Sequence, residues 1–188
     1  MAKVYLASHF FNRGGYLETE ALADYLKFML GDKINLYIPH RAGINDKSGN
    51  DSNITAKAIY EMDIDKLIES DILIANLDGV EIDAGVAGEV MAAAMYNEMI
   101  EYTDDSKINI IGYTTDVRIN AATNPLIDKI KSVDNNESLE IIENHKANHL
   151  YRNLMVIGAC EKYGRVINGY AYNDNYMHDI YLALEGII

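Results

Sequence analysis

The sequence predicts an α/β fold in which a parallel sheet carries helices on both faces. Short apolar runs of strand length recur along the chain, amphipathic stretches of helix length separate them, and the order through residue 113 is β-α-β-α-β-α-β. Parallel neighbours need crossover connections, and these run right-handed.

Val4-Tyr5-Leu6-Ala7-Ser8 reads as the first strand, followed by a turn through Asn12-Arg13-Gly14-Gly15. Residues 17–30 place Leu22, Leu26, Met29 and Leu30 at helical spacing, and Gly31-Asp32 ends that helix. Leu36-Tyr37-Ile38 is a short second strand closed by Pro39. Residues 41–53 read as a polar surface loop above the strand ends, and residues 54–69 as an amphipathic helix with Ala58, Ile59, Met62 and Leu67 on its apolar side. A strand at 72–76, a helix over 84–102 and a strand at 108–113 complete the alternation. Beyond it, 114–124 reads as loop, 125–130 as a short helical piece, 134–137 as an exposed turn, 150–163 as helix and 180–184 as a last helical turn. Residues 170–178 have no assigned element.

One domain is expected over the 188 residues, with a C-terminal tail at 168–188. The formal charge of −13 excludes a nucleic-acid polymer as partner, because such binders carry a basic stripe. No window approaches a membrane span. Met1-Ala2-Lys3 runs straight into apolar sequence, so no secretory leader is expected; with the lone Cys160, a reducing cytoplasm is the expected location.

Chemistry concentrates between Asp71 and Asn97, where an apolar strand passes through a Gly- and Asp-rich turn into an Ala-rich helix. Open α/β sheets bind ligands at such strand ends. Glu89 falls in the first turns of that helix, where free N–H groups and the helix dipole hold a carboxylate ionised. Gly85 and Gly88 flank it and allow close approach. Asp83 lies six residues before it, and Asp63 lies on the preceding helix. Paired acids beside a loosened turn point to work on a small, polar, non-acidic molecule. Each acid also has an ordinary reading: Asp83 as a helix cap, Glu89 as dipole chemistry.

The chain resembles the nucleoside 2-deoxyribosyltransferase family, which also holds 2′-deoxynucleoside 5′-monophosphate N-hydrolases. The resemblance runs from Val4 to about Val166. It rests on the opening strand through His9-Phe10, on Asp63 followed by Asp71 and the apolar strand, on the block Asp83-Ala84-Gly85-Val86-Ala87-Gly88-Glu89, and on Asn153-Leu154-Met155. The resemblance implies a flavodoxin-like, Rossmann-like fold and no cofactor. It makes Glu89 the nucleophile that attacks C1′ of 2-deoxyribose and Tyr5 the residue that orients it. Asp63 becomes the acid that protonates the departing base, and Asp83 the holder of the sugar hydroxyls. Ser8, Phe10 and Gly85 join the substrate site. Asn153 and Met155 would reach a neighbouring subunit's site in a homodimer or larger homo-oligomer. Deoxyribonucleosides and free nucleobases are the implied partners.

In the hydrolase branch the position of Asp83 is usually Ser, which donates to a 5′-phosphate. A carboxylate there repels phosphate, which favours free nucleosides and base exchange over hydrolysis of monophosphates. A non-catalytic nucleotide sensor is the third reading. Other motifs stay structural. His145 and His149 are spaced i,i+4 but lack a third ligand, so no metal is expected. Gly14-Gly15 has the wrong spacing for a dinucleotide fingerprint. Cys160 is expected in the core, and Met91, Met95 and Met99 on one helix face that packs within the chain or at a subunit interface.

Overall fold

The computed structural model describes residues 1–43, 54–79, 81–103, 105–115, 153–169 and 175–188. Five strands form one sheet: β1 (Ala2–Ala7), β2 (Ile34–Tyr37), β3 (Ile72–Asn76), β4 (Asn109–Thr114) and β5 (Gly164–Asn168). Their order is β2-β1-β3-β4-β5, and every pairing is parallel. The helices are α1 (Arg13–Leu30), α2 (Ala56–Ile68), α3 (Ala84–Met99), α4 (Leu154–Tyr163) and α5 (Asn175–Glu185). The fold is α/β and flavodoxin-like, as expected.

Strand alternation builds two cores. Val4, Leu6, Ile72 and Ile74 meet Leu22 and Leu26 of α1 and Ile180 and Leu184 of α5. Their neighbours Tyr5, Ala7, Leu73 and Ala75 meet Leu67 of α2, Val90 and Ala93 of α3, and Val156 and Cys160 of α4. Both faces of β3 are therefore buried along its whole length, which explains the apolar run Ile72-Leu73-Ile74-Ala75 before the buried Asn76. Asn97 joins α3 to the sheet: its amide donates to the Ile108 carbonyl and accepts from the Ile108 N–H, both at 2.8 Å.

Several expectations need correction. Strand β5 lies where no strand was predicted; it is an edge strand, mostly exposed, and Gly-Arg-Val-Ile-Asn carries no continuous apolar run. Gly164 lets it lie close, since a Cβ there would come within 2.1 Å of the Ile110 carbonyl oxygen. Helix α1 begins at Arg13, a turn earlier than the apolar spacing indicates, because the Asn12 side chain caps it by accepting from the Gly15 N–H at 2.9 Å. Gly15 fits because a Cβ would sit 1.9 Å from the His9 carbonyl oxygen. Helix α5 starts at Asn175 and is a full element, eleven residues long, rather than one turn. Helix α3 stops at Met99 instead of 102. Met91 packs into the second core, but Met95 and Met99 are 56% and 77% exposed, so the Met face is only partly packed within the chain. Cys160 is buried as expected. The expected helical piece at 125–130, the turn at 134–137, His145 and His149 lie outside the described residues. Among the described residues, no helix is long and apolar enough to cross a membrane.

Candidate active site

The chain leaves β1 toward β2 on one side, while β3 lies on the other side of β1. Such a reversal opens a crevice at the carboxyl ends of the strands. A cleft of about 360 Å³ sits there, lined by Ser8, Phe10, Phe11, Pro39, Ala56, Ile59, Tyr60, Asp63, Asp83, Gly85, Val86 and Glu89. Three carboxylates from two helices and a cap thus share one opening whose remaining walls, Ser8 apart, are aromatic and aliphatic.

Glu89 projects from the second turn of α3, and the Tyr5 hydroxyl on β1 donates to its Oε1 at 2.6 Å. Tyr5 is fully buried, and burial together with the Glu89 charge pushes its phenol far above the usual range, so it stays a donor. Burial pushes the Glu89 carboxyl up to about 7; the Tyr5 hydrogen bond opposes this, and the charges of Asp63 and Asp83 add to it. The sequence expectation of a carboxylate held ionised by the helix dipole is corrected here. The dipole fades beyond the first turn, and a phenol on the neighbouring strand supplies the donor instead.

Asp83 caps α3, its Oδ1 accepting from the N–H groups of Gly85 at 2.9 Å and Val86 at 3.2 Å. The ordinary reading of Asp83 as a cap therefore holds, and the same residue lines the cleft. Asp63, on α2, accepts from the Tyr37 hydroxyl at 2.8 Å. Tyr37 was not singled out in the sequence. It ends β2 in direct register with Tyr5, and the two rings lie 5.2 Å apart at 42°. Ser8 is buried, with its Oγ 2.8 Å from that of Thr19. Phe10 and Phe11 sit 4.7 Å apart by ring centroid and, with Tyr60, form an aromatic lip suited to a planar ring.

Six expected residues thus line one cleft, and Tyr5 anchors a seventh position beneath it. Asn153 and Met155 do not join them. Asn153 caps α4, accepting from the N–H groups of Met155 and Val156, and Met155 is 70% exposed. Among the described residues, no group of three or more His, Cys, Asp or Glu side chains is placed to hold a metal ion.

The family model described as nucleoside 2-deoxyribosyltransferase matches residues 4–155. The chain belongs to the nucleoside 2-deoxyribosyltransferase family. Among solved structures, a conserved protein from Enterococcus faecalis V583 is 26% identical, with a TM-score of 0.70 over 100% of this chain and 99% of that one. A 2-deoxyribosyltransferase from Bacillus psychrosaccharolyticus is 18% identical over 60% of this chain and 72% of that one, with a TM-score of 0.45. One from Leishmania mexicana is 22% identical over 62% of this chain and 66% of that one, with a TM-score of 0.43. No curated protein matches the sequence.

Proposed function

We propose that the protein exchanges nucleobases on 2-deoxyribose through a covalent deoxyribosyl ester on Glu89. The observation that carries this reading is the Tyr5–Glu89 hydrogen bond inside a cleft that Asp63 and Asp83 also line. A Glu89 oxygen bonds to C1′ as the N-glycosidic bond breaks; the bonding pair leaves with the base, which takes a proton from Asp63. The transition state is oxocarbenium-like, and the carboxylate beneath C1′ stabilises the developing cation. A second base then attacks C1′, gives its proton to Asp63 and releases Glu89 as carboxylate. Water in place of that base gives hydrolysis.

Free nucleosides fit better than 5′-monophosphates. The cleft's described lining holds three acids and no basic side chain, and Arg41 is engaged by Glu20. Incubation with deoxyinosine and adenine tests the reading: new deoxyadenosine is expected. Hypoxanthine without deoxyadenosine would replace transfer by hydrolysis, and release of neither would remove the enzymatic reading.

A further inference from the structure

We propose that Tyr37 is the positioning residue for Asp63, holding that acid in line with the leaving base. The inference rests on the deoxyribosyl-transfer reading above. Three observations carry it.

First, α2 is thinly anchored. Of its thirteen residues only Leu67 is buried, one turn beyond Asp63. Ile64, next to Asp63, packs only partly buried against the second core, and Tyr37 adds a tie from Asp63 to a strand of the sheet at 2.8 Å. Second, the arrangement duplicates the nucleophile's support. Adjacent strands β1 and β2 present register-paired tyrosines, one to Glu89 and one to Asp63, with their rings in contact. A shift of either phenol displaces the other, so the two acids keep their spacing. Third, the phenol keeps its proton. Burial and the Asp63 charge push the Tyr37 hydroxyl above its usual range, so it donates throughout the working pH range.

The test separates proton delivery from nucleophilic attack. Wild type, Tyr37→Phe, Asp63→Asn and the double variant are compared on deoxyinosine and on 7-methyl-2′-deoxyguanosine. The base of the second substrate is already cationic and needs no proton to leave. Loss of orientation costs about 10- to 100-fold in kcat. That loss is expected for Tyr37→Phe on deoxyinosine, with KM little changed and the cationic substrate within about twofold. The double variant is expected to be no slower than Asp63→Asn alone, since both changes act on one step. Equal losses on both substrates, or additive losses in the double variant, would overturn the inference and assign Tyr37 a general packing role. Unchanged kcat on deoxyinosine would overturn it as well. Glu89→Ala keeps the two claims apart: its activity on both substrates should vanish, and retained activity would sink the transfer reading itself.

Discussion

Replacing Glu89 with Gln removes a partly buried charge while keeping the side chain's shape and an oxygen that can accept from Tyr5. The native carboxyl is pushed up to about 7 from 4.5. At about 1.36 kcal/mol per unit, that displacement corresponds to about 3 kcal/mol held against the ionised form. Water entering the open side of the cleft screens the charge, so about 1–3 kcal/mol is expected. The sign follows from proton binding. Between pH 4.5 and about 7 the folded protein holds this proton more tightly than the unfolded chain, so stability falls as pH rises through that window. The Gln variant should therefore match wild type near pH 4.5 and exceed it at pH 8, by about 2–4 °C in Tm per kcal/mol at this chain length. Its base-exchange activity should be lost at every pH. Thermal unfolding of both proteins across this range, with deoxyinosine–adenine exchange measured in parallel, gives the answer. A stability gap that ignores pH, or a wild type that is the more stable at pH 8, would refute the reasoning that Glu89 is a strained, desolvated acid.

For wild type, kcat/KM should rise with pH through about 7, as Glu89 ionises. In Tyr5→Phe that limb should move to higher pH, because the lost hydrogen bond favours the ionised form; an unmoved limb would detach Tyr5 from the nucleophile. Asp83→Ser keeps a capping oxygen on α3 and should shift selectivity toward 5′-monophosphates by about tenfold, about 1.4 kcal/mol, in competition assays. Unchanged selectivity would remove the argument for free nucleosides. Asn97→Ala strands the N–H and carbonyl of Ile108 in the interior and should cost about 2–4 kcal/mol in urea unfolding.

Elements buried on both faces were legible in the sequence. Strand β3 shows why: its five positions are all buried, four of them filled by the apolar run Ile72–Ala75, and the run announces itself. Strand β5 shows the converse, since four of its five residues are at least partly exposed and its place is set by pairing with β4. The start of α1 was hidden because Gly14-Gly15 looks like a turn, while the reason for Gly15 is a contact with the His9 backbone. In the site, Glu89, Asp83 and Asp63 could be found from their spacing around a strand end. Tyr37 could not, because its partner lies 26 residues away and the two meet only after α2 docks. The electrostatics of Glu89 lie beyond the sequence in the same way: position in a helix is readable, and the depth of the cleft is not. Asn153 and Met155 sit away from the cleft of their own chain, and their proposed role depends on a neighbouring subunit.

The match to the family ends at residue 155, yet β5 and α5 come later. Tyr176, Ile180 and Leu184 of α5 seal the same layer as Val4 and Leu6, the strand that carries Tyr5. A protein trimmed to the matched segment would lose most of α4 and expose that layer to water. Such a fragment should precipitate rather than serve as a minimal catalyst, and engineering for size must start from the loops instead.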